Sequence, residues 1–206
     1  MSHYTVAVML EKGSIRDDLE KALAPYDENL HVQRYIYETK EGLVKKWRDY
    51  FTTGFGSDPN FKSDLKTKIN DMTDDEVYAY FTEGITLMPD NLDPDDDDYY
   101  KDYLDEDGNI TTTYNPNAKW DWWEIGGRWH DEFFLGDIEI VKTIPKDFST
   151  YAFVDLDGKW HEPGKMDWFG MSSATDEQAK EFKDNYYDIF LKGHEDCVIV
   201  VVDCHI

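Results

Sequence analysis

Cysteine is nearly missing from this chain of 206 residues: only Cys197 and Cys204 occur. On one expected strand they would stand roughly 23 Å apart at about 3.3 Å per residue, and a disulfide needs Cα atoms within about 7 Å. They are not expected to be bonded to each other, and a reducing cytoplasm is the expected location. With no Cys-x-x-Cys pair there is no zinc spacing. Long apolar runs are missing as well. The longest, Val198 to Val202, falls short of the roughly 18–20 residues that cross a bilayer. Met1 to Tyr4 lacks the basic-then-apolar order of a secretory leader. Basic residues are scarce, 21 Lys and Arg against 45 Asp and Glu, for a formal net charge of −24. That balance argues against direct nucleic-acid binding or membrane attachment through general charge, while leaving room for a local basic pocket. Gly-x-Gly-x-x-Gly, a phosphate loop, His-Glu-x-x-His and Gly-x-Ser-x-Gly are all absent. No cofactor and no metal centre are expected.

What is present is a foldable chain, 40% hydrophobic and 16% aromatic, long enough to bury a core without staples. Tyr4–Leu10 reads as a strand. Ser14 and Asp17 have capping-box spacing, and Ile15, Leu19, Ala22 and Leu23 make one helical face before Pro25. His31–Tyr37 reads as a second strand. Leu43, Val44, Trp47, Tyr50 and Phe51 mark a second helix, ended by Gly54. A Thr73/Glu76 capping box opens a third, ended by Gly84. Later come a strand over 137–144, a hairpin over 151–161 turning at Asp157-Gly158, and a helix capped by Thr175/Gln178 and closed by Gly193. The final strand, Cys197–Val202, is apolar on both faces, as an interior strand must be. The expected fold is a single α+β domain spanning 1–206. It has a central mixed or antiparallel sheet, flanking helices and an acidic loop insertion at about 85–114.

That loop is expected because residues 89–107 hold nine Asp and one Glu against Lys101 alone. Such density repels itself and favours solvation, with Tyr99, Tyr100 and Tyr103 as anchors. Aligned on Gly108, an EF-hand would need carboxylates where Tyr103 and Tyr114 stand, so this is not a calcium loop of that kind.

Candidate site residues cluster in three places. Four of seven Trp fall between Trp120 and Trp129, interleaved with Lys119, Asp121, Glu124, Arg128 and His130. Lys119, Trp120, Asp121, Trp122, Arg128 and Trp129 are candidate ligand contacts, since indoles stack on rings while charged tips fix orientation. Gly126-Gly127 permits close backbone approach. The other reading is a Trp-rich core in which Arg128 pairs with Asp121 or Glu124. At the C-terminal end, strand parity puts Asp203 and His205 on one face, as a general base with its orienter or as an ordinary polar pair. The third patch is Lys159-Trp160-His161-Glu162 with Met166 and Trp168, either a hairpin edge on the body or a second wall of the same pocket. One hollow shared by Arg128, Trp160 and His205 is expected.

Asn115-Pro116-x-x-Lys119-Trp120-Asp121-Trp122-x-x-Ile125-Gly126-Gly127-Arg128-Trp129 resembles a string found in an uncharacterised family of phage, prophage and bacterial proteins. Leu23–Asn29, Asp157–Trp160 and Val202–Ile206 are similar too, so the resemblance covers the chain from start to end. It implies a cytoplasmic protein made during phage growth. The expected function is an accessory binding protein. It would sequester a small nucleotide-like ligand through the Trp/Arg segment, Trp160 and His205, or inhibit a host-defence protein with a basic surface. The alternatives are an assembly component or a hydrolase of a nucleotide- or sugar-like substrate. In the hydrolase Asp121, Glu124, Asp203 and His205 would serve as acid, base or metal ligands.

Overall fold

The structure is a computed structural model and describes residues 2–52, 64–93, 96–166 and 171–206. Gly54 and Trp168 lie outside the described residues. The architecture is α+β, and the chain folds as two units, Met1–Leu30 with Asn115–Ile206, and His31–Tyr114. Strands and helices are numbered along the whole chain.

The first unit holds β1 (His3–Leu10), α1 (Ile15–Leu23), β5 (Trp122–Ile125), β6 (Ile138–Ile140), β7 (Ala152–Val154), β8 (Trp160–His161), α5 (Asp176–Tyr186) and β9 (Val198–His205). Its sheet runs β5-β9-β1-β7-β8, with β6 also on β9. Only β1 and β7 pair in parallel. All eight residues of β9 are buried, because both of its faces are covered. One face carries Val6, Val8, Val200, Val202 and Cys204 under α1, whose Leu19 and Leu23 are fully buried. The other carries Ala7, Met9, Ile199 and Val201 with Tyr186, Phe190 and Leu191. Those last three come from the end of α5 and the π-helical turn Tyr187–Leu191 that follows it. The Thr175/Gln178 capping box forms. The Ser14 box does not: its hydroxyl donates to Asp17 Oδ2 at 2.8 Å and caps no backbone N–H. Cys197 and Cys204 are both free thiols. The strand expected over 137–144 is shorter, since a 3-10 turn takes Val141–Thr143.

The second unit holds β2 (Tyr35–Glu38), α2 (Lys40–Thr52), α3 (Asp64–Asp71), α4 (Asp74–Phe81), β3 (Tyr103–Leu104) and β4 (Ile110–Thr112). Its helices close on Phe51, Ile69 and Val77, and Trp47 stacks on Phe81 at 4.0 Å. The Thr73/Glu76 box opens α4. Its antiparallel sheet runs β2-β4-β3.

The acidic stretch is therefore not the long loop expected. It contributes a 3-10 turn, Asp97–Tyr100, and the β3–β4 hairpin. The density of charge is offset from outside the segment. The Arg34 guanidinium donates to the carbonyls of Thr111 (3.1 Å), Lys101 (3.0 Å) and Tyr99. It also lies 5.3 Å from the centre of the buried Tyr103 ring. Asp105 makes the hairpin turn: Oδ1 accepts the N–H groups of Asn109 and Asp107, at 2.8 and 3.0 Å. The side-chain and backbone N–H groups of Asn109 hold its carboxyl below the usual carboxylate value.

Arg34→Ala leaves several carbonyls without their donor. It is expected to lower stability by about 2–4 kcal/mol, read by urea denaturation. Arg16→Ala, which removes only an exposed pair with Glu20, should change it by less than about 0.5 kcal/mol.

Candidate functional site

The end of the central sheet gathers histidines and acids. β1, β9 and β5 run side by side, and their register puts His3, His205 and Trp122 in one row. Asp203 lies one step inward, between Thr5 and Glu124. Side chains in register project to one face, so Asp203 and His205 share it. A carboxylate only accepts hydrogen bonds, so each imidazole donates from Nδ1. His3 gives its proton to Asp203, at 2.9 Å from Oδ1, and His205 gives its proton to Asp121 at 2.5 Å. The two rings stand edge to face, 4.9 Å between centres, and Trp122 lies 6.4 Å from His3. Trp122 is 48% exposed. Glu28 borders the group: burial first, then the charges of Asp121 and Asp27, raise its carboxyl above the usual value, while His205 pulls the other way.

The Asp203 side chain is 1% exposed. Its charge is met by His3 and by the Arg128 backbone N–H at 3.0 Å. Gly127 makes that second bond possible. Its φ is +49°, and a Cβ there would overlap the Asp203 side chain. Gly126, at φ +68°, lies as close to Asp137. Arg128 is exposed, and among the described residues its guanidinium has no ion-pair partner.

The Gly-Gly turn leads into a second carboxylate cage. Asp137, 1% exposed, accepts from the Asp131 N–H at 2.8 Å and from His130 Nδ1 at 2.5 Å. His130, Asp131 and Asp137 each offer a ligand atom within 4.8 Å of the others. Of the described residues these are the ones that come close enough together to hold a metal ion. No metal was expected from the sequence. The same atoms already satisfy one another, since Asp131 Oδ1 also takes the Gly136 N–H at 2.5 Å.

The rest of the aromatic segment does other work. Asn115 is buried and its amide donates to the carbonyls of Pro25 and Asp27. Trp120 is buried and its indole N–H reaches the Leu23 carbonyl at 3.2 Å. Trp129 is half-buried and hydrogen-bonds back to Gly126. Glu124 is exposed and lines a shallow hollow with Arg16 and Glu20.

Lys119 and Trp160 meet each other but not His205. Lys119 Nζ donates to Glu162 Oε1 at 2.6 Å, and Trp160 Nε1 to Glu162 Oε2 at 3.0 Å. Trp160 packs edge-on against Tyr4, the partner of Cys204. It therefore lies on the face opposite His3, Asp203 and His205. The expected single hollow is two separate places. One is the histidine row; the other is a cavity of about 720 Å³ along the outer edge of β8, lined by Tyr26, Lys119, Lys159, Trp160, Glu162, Lys165 and, around the strand, His161, Phe182 and Phe190.

Sequence reasoning missed His3 and Glu28. His3 carried a signal only through pairing, because its strand parity matters once β1 is set against β9. Glu28 carried none.

In comparisons with family models, curated proteins and solved structures, nothing matches this chain. Among the described residues no helix is long and apolar enough to cross a membrane.

His130 gives a direct check of the cage. The Asp137 hydrogen bond, then the charges of Asp131 and Asp137, raise its pKa above 6.5. A raised histidine stabilises fully below its unfolded value and loses that contribution as pH rises through the folded one. NMR titration should place the His130 midpoint above 6.5, and Asp137→Asn should bring it down. Gly127→Ala should cost about 2–3 kcal/mol in urea denaturation, through its positive φ and the overlap with Asp203.

Proposed function

We propose that the chain is a binding protein for a small, ring-bearing anion of nucleotide type, held in the cavity along β8. The observation that carries this reading is the sign of the cavity. In a chain of net charge −24, three lysines, Lys119, Lys159 and Lys165, line one space with a single acid, Glu162. Its volume falls in the range of about 300–1,000 Å³ typical of small-molecule sites. Trp160 and Tyr26, whose ring centres are 5.0 Å apart, offer aromatic surface beside the ammonium groups. Lys119 is fixed by Glu162, so its ammonium is already oriented before a ligand enters. Lys159 and Lys165 are exposed, and among the described residues neither ammonium has an ion-pair partner, which leaves them available to a phosphate or carboxylate. Long nucleic acid does not suit this site, because the surrounding acidic surface repels a polyanion. Sequestration of a small anion is the role expected of a phage accessory factor, the kind of protein that the Asn115–Trp129 string resembles.

The test is calorimetric titration with nucleoside mono- and diphosphates. Binding at a stoichiometry of one is expected, weakening as salt is raised. The double variant Lys159→Glu/Lys165→Glu should lose at least about tenfold in affinity, equivalent to about 1.4 kcal/mol. Its melting temperature should stay within about 2 °C of the parent, since both side chains are solvated. Equal binding by the variant, or no binding by the parent at millimolar nucleotide, overturns the reading.

A further inference from the structure

We infer that the histidine row at the end of β1 and β9 is a second, catalytic site that hydrolyses a small phosphodiester, with one imidazole as general base and the other as general acid. It lies on the opposite face of the sheet from the groove and does not depend on it.

The inference starts from pairing. A single histidine beside an acid is common in proteins as a structural contact. Here two such pairs touch: His3 with Asp203 and His205 with Asp121, the rings 4.9 Å apart. In both, Nδ1 is engaged by a carboxylate. That fixes the tautomer, orients the ring and leaves Nε2 as the working atom. Among the described residues neither Nε2 has a hydrogen-bond partner. The pairs are anchored unequally. Asp203 is buried and locked by the Arg128 backbone N–H, whereas the Asp121 side chain is 33% exposed. General acid–base catalysis needs an acid and a base at one centre, and two adjacent imidazoles on separate carboxylates can divide those roles.

Water is the nucleophile in this scheme. The neutral imidazole takes a proton from water as the water oxygen bonds to phosphorus. The protonated imidazole gives its proton to the leaving ester oxygen as that P–O bond breaks. No electrons are transferred, and the two rings exchange protonation states, which solvent restores. The substrate class follows from the rim. Trp122 presents an exposed indole for a base. Arg128, whose backbone N–H binds Asp203, is exposed, and its side chain is a planar fork of donors of the kind that suits phosphoryl oxygens. The acidic surface restricts the substrate to a small diester rather than a polymer.

The charged groups around the rings are Asp203, Asp121, Glu28, Glu124 and Arg128. Hydrolysis of bis(p-nitrophenyl) phosphate and of nucleoside 2′,3′-cyclic phosphates by the full chain is the measurement, followed across pH in the presence of a chelator. A bell-shaped dependence of kcat/KM is expected. His3→Gln and His205→Gln should each lower kcat by about 100-fold or more and remove one limb of the bell. Asp121→Asn, at a partly solvated position, should lower kcat with little change in KM, and Trp122→Ala should raise KM. If one histidine variant fails to fold, the other and Asp121→Asn carry the same test. Absence of turnover of every diester, full activity in the folded histidine variants, or loss of activity with chelator overturns the inference. The groove is read by binding alone, so either result leaves it separately decided.

Discussion

The carboxylate of Asp203 is buried at the end of the strand that organises the first unit, and such a charge is costly unless it is hydrogen-bonded and paired. Its needs shape everything near it. The glycine at 127 has no side chain because Asp203 fills that space. The chain turns there so that the next N–H points at Oδ2. The first strand is held in register so that His3 meets Oδ1. Two segments from distant parts of the chain thus close on one oxygen pair. Asp137, ten residues past Gly127, repeats the device, with His130 and the Asp131 N–H as its partners. The Gly-Gly pair is shared by both cages, which gives a packing reason for the Ile-Gly-Gly-Arg-Trp core of the string.

Much of the framework was legible because local pattern and tertiary burial agree. The last strand is apolar on both faces and lies between β1 on one side and β5 and β6 on the other. The Thr73 and Thr175 boxes need only residues three apart, and both form. Ser14 had the same spacing but with Asp in place of Glu or Gln. The shorter acid takes the serine hydroxyl itself. The acidic stretch was misread for a different reason. Its charge density argued for solvation, but what orders it is Arg34, some sixty-five residues away from Tyr99 in sequence. Nothing within 89–107 announces that partner.

The site was legible by half. Strand parity placed Asp203 and His205 on one face, and the register agrees. The same parity places Cys204, and with it Tyr4 and Trp160, on the other. A reading that joined Trp160 to His205 needed the strand order of the sheet, which one sequence does not carry. Lys119 is drawn to Trp160 through Glu162, whereas its near neighbour Asp121 is drawn to His205. Two residues separated by Trp120 therefore serve opposite sides of the sheet. Trp120 itself, expected as a ligand contact, is the pivot: its indole is tied to Leu23 and its backbone to Tyr26.

That pivot bears on how the two proposed sites can coexist in one small unit. Communication between sites requires an element with two discrete arrangements that both sites bias. β9 is buried throughout, β1 is buried from Val6 onward, and the two are paired along their length; such close-packed interiors do not deform gradually. The groove and the histidine row are therefore expected to act independently, with an anion in the first leaving the second unchanged. Electrostatics points the same way. At physiological salt the Debye length is about 8 Å, and Lys159 and Lys165 are exposed to the solvent that screens them. What the two places share is mechanical rather than electrical, the anchored Trp120 from which Lys119 and Asp121 depart in opposite directions. Loosening that indole is a local change expected to disturb both at once.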